Sequence, residues 1–412
     1  MKKTTLCALL IFPFIGMSQA VKEKVVMGSS YANEVFYNFS EGLKLDNPRS
    51  AWDLAFTNST MSASILINDG NGVSLHFLSD NASDWSIVDT TGNMGNPIYN
   101  SDSTWEIGAF NALSKGTFDY GWGDYDRNTH NVSGKSIFAL VMNDGSVKKI
   151  FVEYMKANGD VQFKVANLDG SDENSYSFNK KDITKGNFAY FSFSSGKFVD
   201  LEPANGTWDI LFTKYMTEVS MGPTSAFYPV TGVKHASHIE VAQRENVSVD
   251  DDDFSGLTFE SNISAIGSDW KSFNRSVFQY EIPENRTYFV KNTNTKEVWK
   301  LYFTNFEGSS TGTIEFNKKL VKTSSISDIS NAIFTVFPNP NHGKLRILHD
   351  FGKAQNLRLE LLDMQGKLVW NSSYIAKPGF NETQINMSAP AGMYHLIISS
   401  ENGIQNTKLV VE

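Results

Sequence analysis

The side chains in this sequence that could do chemistry are aspartates, histidines and aromatic residues, and they do not form a catalytic motif. The 412 residues contain no G-x-S-x-G nucleophile elbow, no H-E-x-x-H zinc motif and no phosphate-binding loop. Asp53 and Asp209 stand in the related strands W-D-L-A-F and W-D-I-L-F, but neither motif supplies a partner acid or histidine. The sequence therefore predicts that the protein is not an enzyme. It predicts that both aspartates accept hydrogen bonds from a neighbouring loop, as a buried carboxylate requires.

Two further stretches could bind a ligand. The run Asp250–Asp253 offers carboxylate oxygens to calcium but lacks the spaced ligands and the glycine of an EF-hand loop. The turn Y-G-W-G-D-Y, which begins at Tyr120, could stack against a carbohydrate ring. We interpret the first as a solvated acidic turn and the second as a buried aromatic turn that closes a β domain.

The elements that must position these residues are short strands. Aromatic and β-branched residues alternate with polar ones in runs of about five to eight residues. N-D-G and L-D-G segments, which suit tight hairpin turns, separate the runs, and long helical periodicity is missing. The sequence therefore predicts an all-β protein.

An internal repeat divides the chain. F-Y-N-F-S-E-G from Phe36 is echoed by Y-F-S-F-S-S-G from Tyr190, an offset of 190 − 36 = 154. A-W-D-L-A-F-T around Trp52 is echoed by T-W-D-I-L-F-T around Trp208, an offset of 208 − 52 = 156. This period is far longer than that of a solenoid, so it indicates duplication of a whole domain. We predict two tandem antiparallel β domains, residues 21–185 and 186–322, then a linker, 323–333, and a small C-terminal β-sandwich, 334–412.

Composition limits the partners. The net charge of −9 argues against a nucleic-acid partner, because phosphate binding requires a basic face. The lysines at positions 2 and 3, the apolar run Leu6–Phe14 and the small residues before position 21 predict a signal peptide, residues 1–20. That peptide contains the single cysteine, Cys7, so the mature protein has no disulfide. No other stretch is long and apolar enough for a transmembrane helix.

The C-terminal residues carry the most specific signal. They read F-T-V-F-P-N-P-N-H-G-K-L-R-I, L-R-L-E-L-L-D-M-Q-G-K-L-V and P-A-G-M-Y-H-L-I-I, and end on K-L-V-V-E. This pattern resembles the C-terminal sorting domain of proteins that the type IX secretion system of Bacteroidetes exports. The residues that match its motifs are Pro338, Asn339, Pro340, Gly343, Asp363, Gly366, Lys367, Gly392 and Tyr394. The resemblance implies secretion to the outer-membrane surface or beyond, with the secretion machinery and a surface peptidase as partners.

The body of the chain resembles a second family. The elements F-x-F-S-x-G, W-D-[LI]-x-F-T, Y-P-V-T-G-V, I-G-x-D-W-K, Y-F-V-K-N and W-K-L-Y-F are similar to those of HmuY-like proteins, the β-rich haem-binding proteins of Bacteroidetes. The resemblance implies haem as a cofactor, with axial histidine or methionine side chains on the iron. The candidate ligands are His235 and His238 in K-H-A-S-H-I-E, His76 in V-S-L-H-F-L and His130 in N-T-H-N.

Two hypotheses follow from the sequence. One is a secreted cell-surface protein that binds a small molecule such as haem. The alternative is a surface structural or adhesive protein that keeps the β framework without a haem site.

Overall fold

The computed structural model describes residues 19–89, 94–220, 222–322, 335–351, 354–400 and 403–412. Most of the predicted signal peptide and all of the predicted linker lie outside these residues. The chain divides into two compact units, Met1–Val321 and Lys322–Glu412, which we call the body and the tail. In the part of the chain that is described, no helix is long and apolar enough to cross a membrane.

The strands of the body come from three stretches of the chain. The N-terminal segment contains β1 (Val21–Val26), β2 (Asn33–Asn38) and β3 (Gly42–Pro48). The middle stretch contains β4 (Leu54–Thr57), β5 (Ile65–Ile67), β6 (Ser74–Ser79), β7 (Gly123–Tyr125), β8 (Val132–Gly134), β9 (Ile137–Val141), β10 (Val147–Met155), β11 (Asp160–Asn167), β12 (Asn174–Asn179), β13 (Phe188–Ser192) and β14 (Lys197–Val199). The third stretch contains β15 (Ile210–Ser220), β16 (Ser225–His235), β17 (Ile239–Glu245), β18 (Ser272–Asn274), β19 (Gln279–Glu281), β20 (Arg286–Asn292), β21 (Val298–Phe306) and β22 (Thr313–Lys322). Short 3-10 helices span Ser29–Tyr31, Arg49–Ala51, Asp69–Asn71, Ala82–Ser86, Ala109–Asn111, Lys180–Asp182 and Gly308–Ser310.

Hydrogen bonding assembles these strands into two halves of the same topology. In half A, one sheet has the order β1-β22-β21-β20-β17 and the other the order β16-β15-β2-β3. In half B, the corresponding orders are β12-β11-β10-β9-β6 and β5-β4-β13-β14, with β7 and β8 added beside β10. Each strand of these two half A sheets therefore has a counterpart at the same place in half B.

The two sequence repeats exchange their first three strands. The N-terminal segment belongs to half A, where β2 pairs with β15 and β1 with β22. Its counterpart about 154 residues later, β12 to β14, belongs to half B, where β13 pairs with β4 and β12 with β11. Of these three strands, β12 lies before the boundary predicted between residues 185 and 186. The boundary predicted between residues 185 and 186 therefore does not separate the two cores. A sequence repeat shows which segments are alike, but it does not show which strands pair. Either copy of a repeated strand can occupy the same position in a sheet, because both copies have the same pattern of side chains.

Each half buries an aromatic core between its two sheets. In half A, Tyr37 of the N-terminal segment packs edge-on against Phe316, with ring centroids 5.3 Å apart. In half B, Phe163 lies 5.0 Å from Phe56 and 5.2 Å from Phe191, which β13 supplies. Large aromatic side chains contribute most of the apolar area that such a core removes from water. The exchanged strands are thus core elements of the half they join.

The tail is a small two-sheet unit. Its strands are β23 (Thr335–Phe337), β24 (Lys344–Phe351), β25 (Gln355–Leu362), β26 (Leu368–Ala376), β27 (Gly379–Asn386), β28 (Gly392–Ser400) and β29 (Gly403–Val411). The sheets β23-β24-β27 and β26-β25-β28-β29 share a core that includes Leu345, Leu359 and Leu396. The predicted all-β fold class is confirmed.

Candidate functional site

The two W-D aspartates fasten the exchanged strands. In half A, Asp209 Oδ2 accepts the backbone N–H of Phe39 at 2.7 Å. In half B, Asp53 Oδ2 accepts the backbone N–H of Phe193, also at 2.7 Å. Both carboxylates are buried, and burial raises the pKa of Asp53. The prediction that each aspartate accepts a hydrogen bond from a loop is confirmed, and each loop belongs to the other repeat.

We expect Asp53→Ala and Asp209→Ala each to lower the free energy of unfolding by about 1–3 kcal/mol, because each leaves a buried N–H without its acceptor. Urea unfolding of the mature protein measures this loss. Asp46→Ala, at an exposed position of β3, is the matched control and should stay within about 0.5 kcal/mol of wild type. Equal effects of all three substitutions would contradict the fastening role.

The four candidate histidines do not come together around one metal site. Both ring nitrogens of His235 face backbone carbonyl oxygens, Nδ1 that of Ala236 at 2.8 Å and Nε2 that of Asn262 at 2.7 Å. In half B, His76 Nδ1 lies 2.8 Å from the carbonyl oxygen of Gly95, and its Nε2 lies 3.0 Å from Ser74 Oγ. Both rings are buried, so neither offers a free lone pair to iron.

The other two histidines lie in different halves. His130 is exposed in half B, with Nδ1 2.6 Å from the hydroxyl of Tyr125. His238 is nearly buried in half A, where Nε2 lies 3.7 Å from Asp209 Oδ1 and has no hydrogen-bond partner. Among the described residues, no group of three or more His, Asp or Glu side chains could hold a metal ion. The histidines as placed do not fit a haem iron with two axial ligands, and haem stays a prediction of the resemblance.

The two other candidate stretches have structural roles. The acidic run lies at the surface, where Asp251 pairs with Arg244 at 3.0 Å and Asp252 pairs with Lys300 and Lys319. It is therefore ion-paired in part, rather than wholly solvated as we predicted. In the aromatic turn Trp122 is completely buried, and its indole N–H donates to the carbonyl oxygen of Ala63 at 3.0 Å. The prediction of a buried aromatic turn is confirmed.

A cleft opens where the chain first crosses from half A to half B, and we call it the junction cleft. Its volume is about 400 Å³, and its walls include Ser30 and Tyr31 of the N-terminal segment, Lys214 of β15 and Gly70 of half B. Arg49, at the crossover itself, completes the wall. A Cβ at Gly70 would overlap the carbonyl oxygen of Lys214, so only glycine allows the two halves to approach this closely.

Arg49 ties the two halves together at the junction cleft. The side chain is 3% exposed. Its guanidinium donates to the carbonyl oxygens of Tyr31 and Asn33 in half A, the latter at 3.2 Å, and to that of Gly70 in half B at 3.4 Å. Its Nε is buried without a hydrogen-bond partner. Burial lowers the pKa of Arg49, because a low-dielectric environment disfavours the charged form.

Other charged groups surround this arginine. Burial, and then the positive charge of Arg49, lower the pKa of Lys214. Burial raises the pKa of Asp69, which also lines the cleft, to about 6. A neighbouring cavity of about 50 Å³ is lined by Glu34 and Lys234, among others. The junction thus concentrates ionisable groups that an ordinary apolar interface lacks.

Sequence reasoning missed this site because its residues stand apart along the chain. Arg49 and Lys214 are 214 − 49 = 165 positions apart and belong to no motif. A signal was present in the repeat, since an offset of 156 places Asn205 opposite Arg49 and Asn58 opposite Lys214. At both repeat positions, one copy has a cation and the other has an amide. This difference distinguishes the crossover from half A to half B from the crossover back to half A.

The sorting-motif residues of the tail divide into exposed and structural ones. Pro338, Asn339 and Pro340 are exposed, and Asn339 also bonds to β29, with Oδ1 accepting the N–H of Val410 at 2.8 Å. Asn341, which our motif assignment did not include, is 1% exposed and donates from Nδ2 to the carbonyl oxygen of Val410 at 2.8 Å. The opening motif therefore fastens the start of the tail to its last strand.

The remaining motif residues shape turns. Asp363 Oδ1 accepts the N–H of Lys367 at 2.9 Å, across a turn in which Gly366 has a φ of 81°. Gly343 also has a left-handed φ, 82°, while Gly392 begins β28. Tyr394 is buried and donates from its hydroxyl to the carbonyl oxygen of Pro390 at 2.8 Å. These contacts give the motif a folding role, while Lys367, Pro338 and Pro340 are exposed.

Comparison with known proteins identifies the tail. A family described as the secretion system C-terminal sorting domain matches residues 335–412. No curated protein matches the chain. Among solved structures, dimeric latent PorU from Porphyromonas gingivalis aligns at 11% identity over 68% of this chain and 31% of that one, with a TM-score of 0.17. The chain thus spans about a third of that protein's length. The tail is a type IX sorting domain, and it indicates export to the cell surface or the extracellular space.

Proposed function

We propose that this protein is a surface ligand-binding protein whose ligand occupies the junction cleft. The sorting tail delivers the body to the outside of the cell, and the body binds rather than catalyses. In this proposal a surface peptidase of the type IX system removes the tail by cutting within residues 323–333, a polar stretch of the sequence.

The junction cleft is the observation that carries this proposal. Its volume of about 400 Å³ lies within the range of about 300–1,000 Å³ that small-molecule sites occupy. Two non-glycine residues of its wall, Ser30 and Tyr31, have left-handed φ values of 55° and 57°. Such strained backbone clusters at ligand sites, where the surrounding structure holds it in place. The cleft also lies between two halves, where ligand pockets are frequent.

Haem is the second candidate, which the family resemblance favours. Its support within the body is narrow, because His238 is the candidate whose Nε2 is buried without a hydrogen-bond partner. His238 would be the residue that holds the haem iron there, and its Nε2 lies 3.7 Å from Asp209 Oδ1. The structural or adhesive alternative needs no ligand in either place.

Native mass spectrometry of the body, isolated from the surface of the producing cells, tests the proposal. We expect a bound small molecule in the wild type and none in Ser50→Trp, because the new indole fills the junction cleft from an exposed wall position. Ser83→Trp, exposed in a 3-10 helix away from the cleft, is the matched control and should keep the ligand.

Each outcome of that measurement selects one function. A wild-type body at its sequence mass, or a ligand that survives Ser50→Trp, would contradict binding in the junction cleft. A ligand with a Soret absorption band that disappears in His238→Ala would assign haem instead. A ligand-free body that still mediates adhesion of cells would support the structural alternative.

A further inference from the structure

The junction cleft carries positive charge without a direct counter-ion. Arg49 and Lys214 both line it, and in the described part of the chain neither lies within 4.0 Å of a carboxylate oxygen. An arginine is almost never buried as far as Arg49 without a charged partner, and Lys214 beside it is partly buried. The repulsion between the two cations, which contributes to the lowered pKa of Lys214, acts on top of the cost of burial.

The carboxylates nearby are committed to other donors. Asp69 Oδ2 accepts from the side-chain amide of Asn100 at 3.0 Å. Glu34 accepts the indole N–H of Trp52 at 3.1 Å and the hydroxyl of Thr213 at 2.6 Å. These bonds hold both carboxylates in fixed places.

The charge balance of the junction is positive. A third cation, Lys234, is buried with its Nζ 4.5 Å from the ring centre of Tyr215. Lys234 lines the neighbouring cavity, where the charges of Asp69, Asp102 and Glu34 act on it. The charged residues that line the junction cleft itself are Arg49, Lys214 and Asp69, which give 2 − 1 = +1 with the acid ionised. The whole chain has a net charge of −9, so this junction has the opposite sign to the protein around it.

The cations also have unused donors. A guanidinium has five N–H groups, and the three bonds from Arg49 to carbonyl oxygens leave two of them. One of the two is the Nε–H, which is buried, and the other is on Nη1. Lys214 adds three N–H groups of its own. An anion between Arg49 and Lys214 would favour the charged form of both groups, against the burial of the guanidinium and the repulsion between the two cations.

The second crossover, from half B back to half A, is an internal comparison. There the position equivalent to Lys214 is Asn58, which lines a cavity of about 90 Å³ together with Glu106 and Glu202. The position equivalent to Arg49 is Asn205. The repeated fold therefore does not require a cation at either of these two positions. The pair at the first junction belongs to that junction's own chemistry.

We propose that the junction cleft binds an oxyanion, the carboxylate or phosphate group of a small molecule, between Arg49 and Lys214. This inference rests on the proposed function and adds the chemical class of the ligand. Arg49 is the preorganised anion-binding residue, since its hydrogen bonds to three carbonyl oxygens fix the guanidinium. Lys214 of β15 binds the anion from the other side.

Calorimetric titration of the chain from residue 21 to residue 412 tests the inference. The protein is titrated with inorganic phosphate and, separately, with citrate. We expect at least one of the two to bind, and Lys214→Gln to weaken that binding by about tenfold or more. Lys214→Arg should keep it within a few-fold, because the charge remains. Lys185→Gln is the matched control, since Lys185 lines a different pocket and pairs with Asp200 at 3.3 Å. Binding of phosphate alone would identify a phosphate ligand, and binding of citrate alone a carboxylate.

The inference is overturned if neither anion binds beyond the effect of sodium chloride at equal ionic strength, or if Lys214→Gln binds as wild type does. Thermal unfolding of each variant shows whether it is folded. Lys214 is substituted in preference to Arg49, because the hydrogen bonds of Arg49 to three carbonyl oxygens support the fold. A native ligand that Ser50→Trp removes and Lys214→Gln keeps would overturn the anion inference and leave the proposed function standing. A native ligand that Ser50→Trp keeps would overturn the proposed function itself.

Discussion

Deletion of residues 21–48 is expected to unfold half A and to leave half B folded. The deleted segment supplies β1, β2 and β3 to half A, and its Phe36, Tyr37 and Phe39 are each at most 2% exposed. Loss of a buried aromatic side chain typically costs about 3–5 kcal/mol. Three such losses sum to about 9–15 kcal/mol, which is comparable with the about 5–15 kcal/mol that stabilises an ordinary domain. Half B keeps all its strands, because β4 to β14 form one continuous stretch.

Hydrogen–deuterium exchange of the truncated protein measures this result. Amide protection should be lost across β15 to β22 and retained across β4 to β14. Tandem domains with the boundaries 21–185 and 186–322 require the reverse, because the deletion would then damage the first domain. The substitutions Phe39→Ala and Phe193→Ala form a matched pair, since 193 − 39 = 154 places them at one repeat position. The first should loosen half A and the second half B.

The strand content and the duplication were predictable because both are local properties of the sequence. Alternation of side chains reports a half-buried strand wherever it occurs. The role of Asp53 and Asp209 followed from the same reasoning, since a carboxylate next to a buried tryptophan needs a donor nearby. The structure supplies those donors as the N–H groups of Phe193 and Phe39.

The exchange between the repeats was not predictable from these signals. Leu54 pairs with Phe191 in half B, and Ile210 pairs with Tyr37 in half A, at equivalent positions of the repeat. An aliphatic residue opposite an aromatic one satisfies either arrangement equally well. Local sequence therefore does not decide which copy of the segment joins which half.

The candidate site escaped prediction for a related reason. Arg49 and Lys214 meet because the chain crosses between the halves immediately after β3, and no short-range pattern records that crossing. The histidines present the opposite case. His235 stands in a conspicuous K-H-A-S-H segment and is predicted as a ligand for that reason. Its ring nitrogens instead lie within hydrogen-bond distance of the carbonyl oxygens of Ala236 and Asn262, and Asn262 is distant in the sequence.

Deletion of residues 334–412 is expected to abolish surface delivery while the body stays folded. The sorting domain matches residues 335–412, and the tail forms its own compact unit with its own core. Removal of the tail therefore takes no strand from either half of the body. We expect the truncated protein to accumulate in the periplasm in place of the wild-type surface pool, with a thermal unfolding midpoint for the body like that of the intact chain.

Protease accessibility on intact cells shows whether the tail sends this body to the cell surface. Cells that produce the wild-type chain or the chain without residues 334–412 are treated with an external protease, fractionated and probed for the body. We expect the wild-type body to be digested or found outside the cell, and the truncated body to be protected and recovered from the periplasm. A truncated body that reaches the surface in wild-type amounts would contradict this role of the tail.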